Sequence, residues 1–181
     1  MNQNTDLTQA TSATEKIISS FDENKVIYKL LHHSECRTSE ESAKTRAEAG
    51  AGIIIGAKAI LMKIELKQAG SEYSVFVLPG DKLIDSKNLK KSLKARFSNF
   101  KSFRFSTPEE MADITNGLQP GTMPPFGQPI FENISHLFVD STLLEHDVVG
   151  FNAACLTQSL IVDTEAYIKV ASPSDIFLFS A

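Results

Sequence analysis

The stretch AGAGIIIGAKAILMKI, residues 49–64, places three glycines and a lysine in front of an apolar run. Glycine-rich loops that end in lysine can hold a nucleotide phosphate with their backbone amides. The spacing here differs, because three residues separate Gly52 from Gly56 and one more separates Gly56 from Lys58. A dinucleotide-binding turn would need a strand before Gly50 and a helix after it, whereas the pattern predicts the reverse order. The sequence therefore argues against a phosphate loop.

Lys58 belongs to a segment, residues 57–66, in which apolar and charged residues alternate. In a strand, Lys58 would share a face with Ile60, Met62 and Ile64. A lysine on the apolar face of a strand is rare unless it reaches solvent, pairs with another group or has a function. Two interpretations remain open: Lys58 reaches solvent at the open strand end, or it is a functional cation.

The stretch LQPGTMPPFGQP, residues 118–129, holds four prolines and two glycines. Proline fixes the backbone torsion φ and glycine permits tight turns, so this composition predicts a stiff loop of defined shape. Fixed backbone amides in such a loop suit a binding site, although many loops of this kind are only connectors.

Other reactive residues form no recognisable catalytic set. His32, His33 and Cys36 match no standard metal spacing, so we predict no metal site. No serine lies in a nucleophile elbow. The basic segment KNLKKSLKAR, residues 87–96, predicts either a solvated helix face or a surface that contacts RNA phosphates.

Local signals predict a mixture of helices and strands. Capping boxes at Thr38–Glu41 and Thr107–Glu110 each indicate a helix start, and Gly50 indicates the end of the first of these helices. Strands and helices do not alternate strictly, which favours an α+β fold with a mixed sheet. Predicted helices cover 13–21, 39–49, 87–96 and a segment from 108 to about 116, with a short one after 163; predicted strands cover 26–31, 57–66, 75–80, 102–106, 136–140, about 148–154 and 158–163.

Composition excludes several classes of protein. The 181 residues carry a net charge of −4, which argues against non-specific binding of long nucleic acids. The polar N-terminus and the lack of a long apolar stretch predict a cytoplasmic protein without a membrane segment. The two cysteines predict no disulfide framework. We expect a flexible or helical extension over 1–20 and one folded domain over 21–181.

Five segments together resemble the YbaK and prolyl-tRNA editing domain family, in order and spacing, across residues 30 to 172. The Gly-x-x-x-Pro motif, here Gly121 to Pro125, is the most specific piece. The segments are GAKAILMKI, VFVLPGDKLID, FSTPEEMADITNGLQPGTMPPFG, HLFVDSTLL and GFNAACLTQSLIVDTEAYIKV.

The resemblance implies a single α+β domain with a mixed, partly barrel-like sheet flanked by helices. It implies a hydrolase that acts in trans on mischarged tRNA, in particular alanine or cysteine on the proline tRNA, without metal or organic cofactor. The partners it implies are a tRNA acceptor end carrying a small amino acid and, as a second candidate, prolyl-tRNA synthetase. Catalytic roles would fall on Gly121, Thr122, Met123 and Pro125, and substrate binding on Lys58, Phe126, Gly127, Asn152, Ala154 and Cys155.

One segment departs from the family pattern. Many members are similar to Phe-Asn-Ala-Gly-Ser-His, whereas this chain has Ala154, Cys155 and Leu156 at the last three of those positions. Polar contacts to the substrate would then be missing or the pocket would be more apolar. The alternative function is therefore a weak or inactive module of the same fold that binds a nucleotide, an oligonucleotide or a tRNA end.

Overall fold

The computed structural model describes the backbone of residues 4–181 and the side chains of residues 12–181. A π-helical turn, Ala47–Ala51, follows the second helix, and a 3-10 helix, Ser141–Glu145, follows the fifth strand. The main elements are α1 (Asn4–Glu23), β1 (Tyr28–His32), α2 (Ser39–Arg46), β2 (Ile55–Leu66), β3 (Gly70–Pro79), α3 (Ser86–Arg96), β4 (Phe100–Phe105), α4 (Pro108–Thr115), β5 (His136–Asp140), β6 (Val148–Asn152), β7 (Gln158–Asp163), α5 (Thr164–Ala171) and β8 (Asp175–Phe177).

The long strand β2 joins the two parts of the sheet. It pairs with β3 in antiparallel register over almost its whole length, and its C-terminal half also pairs with β4. Its first two residues, Ile55 and Gly56, instead pair in parallel with Val149 and Gly150 of β6. The sheet order is β1-β7-β6-β2-β3-β5-β8, with β4 attached to β2. Parallel and antiparallel pairs coexist, so the predicted α+β fold with a mixed sheet is confirmed.

Alternation along β2 and β3 divides the interior into two apolar cores. Leu61 and Val77 face the larger core, whereas Met62, Ile64 and Phe76 face the smaller one. Helix α3 covers the smaller core. Burial of each such side chain is worth about 1.5–3 kcal/mol. The two cores thus cover both faces of the central part of β2 and β3.

Helix α1 belongs to the larger core through Ile17 and Phe21, which are both fully buried. The helix predicted over 13–21 is confirmed and is longer, because α1 spans Asn4–Glu23. The separate extension expected over 1–20 stays a prediction, and its residues 1–3 lie outside the described part of the chain.

Both predicted capping boxes form. Thr38 accepts a hydrogen bond from the Glu41 amide at the start of α2, and Thr107 begins α4 in the same way. Gly50 has φ 85°, the left-handed conformation that ends the helical segment after α2. Strand β3 begins at Gly70, five residues before the predicted start at 75, because its pairing with β2 continues through the hairpin.

Candidate functional site

A cavity of about 320 Å³ opens where α2, the N-terminal half of β2, β6 and the Gly/Pro loop meet. Hydrogen bonds from Asn152 of β6 and Tyr167 of α5 hold the Gly/Pro loop, residues 118–129, at this place. The lining residues are Arg37, Thr38, Ser39, Ser42 and Arg46 from α2 and the segment before it, residues 56–60 of β2, Gly121 and Met123 of the loop, and Gly150, Phe151 and Asn152 of β6.

Gly56 of β2 and Gly150 of β6 line the cavity with backbone alone, and we call this pair the floor of the cavity. They are partners in the parallel register of these strands. A Cβ atom on Gly56 would lie 2.9 Å from the Arg46 guanidinium, and one on Gly150 would lie 3.1 Å from the Arg46 Cδ and Nε atoms. The glycines therefore make room for Arg46, which is the structural role of the third glycine in the opening stretch.

Lys58 lies on the same face of β2 as Gly56 and is half-buried at the cavity. Its ammonium donates to the carbonyl oxygens of Lys82, at 2.6 Å, and Gly80, at 3.5 Å. Burial lowers the pKa of Lys58 below its ordinary value, and the nearby Asp81 carboxylate offsets part of that shift. An ammonium has three N–H donors, so one remains available to a ligand.

Three hydrogen bonds fix the shape of the Gly121–Pro125 loop. The Asn152 side chain donates to the Gly121 carbonyl at 2.8 Å, and the buried Tyr167 hydroxyl donates to the Pro125 carbonyl at 2.7 Å. The Thr122 amide donates to the Gln119 carbonyl at 3.0 Å, which closes the turn. Gly121 itself has φ 90°, and a Cβ atom there would lie 2.9 Å from the Arg37 carbonyl oxygen.

Two backbone donors of this loop remain unused. Pro124 and Pro125 have no N–H group, and the Thr122 amide is bonded within the loop. Within residues 4–181 no hydrogen bond is found for the amides of Gly121 and Met123. Both residues line the cavity. The loop thus offers two fixed N–H groups of the kind that can stabilise a developing negative charge on oxygen.

Phe126 and Gly127 follow the Gly121–Pro125 loop in the chain and pack against the protein interior, and they do not line the cavity. Phe126 is buried in an aromatic cluster with Phe21, Phe151 and Tyr167, whose ring centroids lie 5.7–6.0 Å from its own. Gly127 packs closely, since a Cβ atom there would lie 3.3 Å from the side chain of Leu137. Such packing holds the loop backbone in place.

The segment after β6 contains two residues that the resemblance assigns to substrate binding, Ala154 and Cys155. Ala154 is fully buried with φ 61°, a backbone conformation that favours glycine. The Cys155 sulfur lies 3.7 Å from the Gln158 side chain. Neither residue is among those that line the cavity, whereas Asn152 is. Their assignment to substrate binding stays a prediction.

Sequence reasoning missed the α2 side of the cavity. Ser39, Ser42 and Arg46 follow one another at intervals of three and four residues, the spacing of one helix face. That spacing could have indicated a polar contact surface. Helix α2 has no apolar stripe, so the face that it packs against the rest of the protein has to be polar. Arg37 lies beside them at the rim, paired with Glu35 at 2.5 Å.

The cavity is cationic. Its lining includes Arg37, Arg46 and Lys58 but no aspartate, glutamate, histidine or cysteine. Across the part of the chain that is described, no three side chains of histidine, cysteine, aspartate or glutamate come together as a metal site would require. The cavity is therefore suited to an anionic or ester-containing ligand that is positioned by cations, hydroxyls and backbone amides.

Comparison with known proteins found a curated relative and solved structures of similar fold. It is 24% identical over 170 residues to the multifunctional Ser/Thr-tRNA deacylase ProXp-y of Escherichia coli (strain K12), covering 93% of this chain and 94% of that protein. Its fold matches hypothetical protein APE2540 (TM-score 0.67, 20% identity, 92% of this chain and 99% of that one). It also matches a candidate trans-editing enzyme for prolyl tRNA synthetase (TM-score 0.66, 16% identity, 93% and 98%).

Two further findings bear on the protein's class. None of the helices in the described residues is both long enough and apolar enough to cross a membrane. The model of the aminoacyl-tRNA editing domain matches residues 33–170 of the 181. This match confirms the predicted family and the predicted enzyme class, an aminoacyl-tRNA deacylase. The chain therefore belongs to the aminoacyl-tRNA editing domain family.

Proposed function

We propose that this protein acts in trans as a deacylase that removes a small amino acid from mischarged tRNA. One observation carries the proposal: Lys58 lines the same cavity as Gly121 and Met123, whose backbone amides have no hydrogen-bond partner within residues 4–181. The amides would hold the ester carbonyl oxygen as negative charge develops on it. Lys58 would hold the terminal nucleotide with its remaining donor.

The reaction we propose is hydrolysis of the ester between the amino acid and the tRNA ribose. Water adds to the carbonyl carbon, the bond to the ribose oxygen breaks, and that oxygen leaves with a proton. No side chain that lines the cavity is an evident general base or strong nucleophile. Catalysis would therefore rest on positioning and on stabilisation of the oxyanion, and an ordered water or a substrate hydroxyl would move the proton.

We propose alanine or cysteine on the proline tRNA as the substrates to test first. The Escherichia coli relative is named as a Ser/Thr-tRNA deacylase, which adds serine and threonine, both also small. A cavity of about 320 Å³ favours a small side chain once the terminal nucleotide has also been accommodated. Size alone discriminates weakly, by roughly 10- to 200-fold for one methylene group, so several of these amino acids could react.

The experiment is a deacylation assay on tRNAs that carry alanine, cysteine, serine, threonine or the correct proline. Purified wild-type protein should release one or more of the small mischarged amino acids and leave prolyl-tRNA intact. Lys58→Ala should abolish this activity. Lys67→Ala is the matched control, because it removes one exposed lysine just beyond the other end of β2.

A second candidate function is a binding module without turnover. It is favoured by the lack of a histidine, cysteine or carboxylate among the residues that line the cavity. Tight binding of an uncharged tRNA end, with no release of any amino acid from the panel, would support this candidate. Release that is equal in wild type and Lys58→Ala would contradict the proposed role of Lys58.

The exposed face of α3 is the proposed contact for the tRNA backbone. Lys87, Lys90, Lys91 and Lys94 are exposed there. Arg96 is not available in the same way, because it pairs with Asp175 at 2.7 Å and stacks on Phe177. Replacing the four lysines by glutamate should weaken tRNA binding and flatten its salt dependence. Unchanged binding would remove this face from the proposal.

A further inference from the structure

Arg46 is a buried cation without an ionic partner. Only 3% of the residue is exposed. Its Nε atom has no hydrogen-bond partner, and no salt bridge of its guanidinium is found among the described residues. Because a buried charge is unfavourable unless it is paired, such an arrangement is uncommon in a protein that has no use for it.

The surroundings of Arg46 favour an anionic ligand. A Cβ atom on Gly56 would lie 2.9 Å from the guanidinium, so a larger residue there would displace it, and one on Gly150 would lie 3.1 Å from Arg46 Cδ and Nε. Arg46 and Lys58 line the same cavity, and no carboxylate lines it. The nearby Cys36 sulfur is already engaged, since it accepts from the Ser42 hydroxyl at 3.2 Å and lies 3.6 Å from the Leu156 carbonyl. The open side of the guanidinium is therefore the cavity.

The parallel N–H groups of the Arg46 guanidinium, which we call its fork, determine which ligand it can bind. A guanidinium presents parallel N–H groups that match two oxygens of a phosphate or a carboxylate. The amino acid on a charged tRNA contributes an ammonium and an ester, and the cations of the cavity repel the ammonium. The anionic group that this substrate offers near its reactive ester is the phosphodiester of the terminal nucleotides.

We propose that Arg46 binds the phosphodiester that joins the last two nucleotides of the tRNA, beside the Lys58 ammonium. This inference rests on the proposed function, since it assigns the part of that substrate which Arg46 recognises. It makes Arg46 a substrate-binding residue that holds the ester at the Gly121–Met123 amides. The unfavourable burial of the charge in the free protein is then relieved when the substrate binds.

The test uses an uncharged RNA hairpin that ends in CCA. A second hairpin carries a neutral methylphosphonate in place of the last phosphodiester. Wild type should bind the second hairpin roughly 10- to 100-fold more weakly, the range for a hydrogen bond to a charged group. Arg46→Met should bind the unmodified hairpin more weakly by a similar factor, and it should distinguish the two hairpins much less than wild type does, because only Lys58 then remains beside the phosphodiester.

Two variants control for folding and for charge. Lys44→Met removes an exposed cation from the same helix and should leave both affinities unchanged. Arg46→Lys keeps the charge but loses the fork, so its affinity should lie between those of wild type and Arg46→Met. Urea unfolding of Arg46→Met should show no loss of stability, because the variant removes an unpaired buried charge. A purely structural role of Arg46 predicts the opposite.

The inference is overturned if Arg46→Met distinguishes the two hairpins as strongly as wild type does. Failure of the proposed function has a different signature: wild type would release no amino acid from any tRNA in the panel. If wild type deacylates tRNA but binds both hairpins equally, the inference alone is wrong. If wild type neither deacylates nor binds either hairpin, both are wrong.

Discussion

Replacing Gly121 by alanine tests whether the Gly/Pro loop acts through its backbone position. Gly121 has φ 90°, and a Cβ atom there would lie 2.9 Å from the Arg37 carbonyl oxygen. Gly70, in the hairpin between β2 and β3, has a similar φ of 79° but nothing within 4 Å of an added Cβ. The pair of variants therefore separates backbone strain, which they share, from the contact with Arg37.

The strain can be estimated from the conformation. Alanine in the left-handed region costs about 1–2 kcal/mol. Alanine also lowers the conformational entropy of the unfolded chain, which stabilises the folded state by about 0.4–1 kcal/mol and offsets part of this cost. We expect Gly70→Ala to lose about 1 kcal/mol of unfolding free energy, which corresponds to a decrease of about 2–4 °C in Tm for a chain of this length. Gly121→Ala should lose more, because its Cβ atom also meets the Arg37 carbonyl oxygen.

The effect on activity should differ between the two variants. In Gly121→Ala the loop must move away from Arg37 by a few tenths of an ångström, and the free amides of Gly121 and Met123 move with it. A displacement of about 1 Å can cost roughly 100-fold in rate, so we expect a loss on the order of 10-fold here. Gly70→Ala should deacylate at the wild-type rate.

The assay is single-turnover deacylation of the best substrate from the panel, with Tm measured on the same preparations. Single-turnover conditions isolate the chemical step from product release. A wild-type rate in Gly121→Ala would refute the idea that the loop backbone positions the reacting ester. An equal decrease in deacylation rate in Gly121→Ala and Gly70→Ala would show that general destabilisation is responsible.

Three further changes probe the supports of the site and the fold. Tyr167→Phe leaves the buried Pro125 carbonyl without its 2.7 Å hydrogen bond, so urea unfolding should show a loss of about 1–3 kcal/mol, and a stability equal to wild type would contradict this. Asn152→Ala removes the 2.8 Å bond to the Gly121 carbonyl; kcat/KM should fall about 10-fold, whereas an unchanged kcat/KM would exclude an anchoring role. Burial would raise the pKa of Asp140, but four hydrogen bonds to its carboxylate outweigh burial and hold that pKa below its ordinary value. The stabilisation by Asp140 is therefore complete above about pH 4 and is lost as the pH falls through the lower folded-state pKa. Between pH 7 and pH 2.5, the unfolding free energy measured in urea should fall less for Asp140→Asn than for wild type. An equal fall in the two proteins would argue against this role of Asp140.

Local chemistry made several features of the site predictable. Strand parity put Lys58 on an unusual face, and the lysine indeed lies half-buried at the cavity, bound to two carbonyl oxygens. The composition of residues 118–129 predicted a stiff loop, and the loop is held by hydrogen bonds at Gly121 and Pro125. A capping box determined where α2 begins, and a left-handed Gly50 determined where the helical segment after α2 ends. These signals involve residues close together in the chain, so their physics can be read without the fold.

Long-range contacts decided the rest. Gly56 and Gly150 are separated by 94 positions, and only the parallel pairing of β2 with β6 makes them one floor. Arg46 looks in the sequence like any arginine near the end of a short helix; its burial follows from that floor and from the docking of α2 against β2. Phe126 similarly becomes a support rather than a cavity residue because α1 and α5 supply the rings that bury it. The sequence by itself thus determined which residues are stiff, capped or out of place on their element. The tertiary structure decided which of them share a cavity, because that depends on strand order and register rather than on local preference.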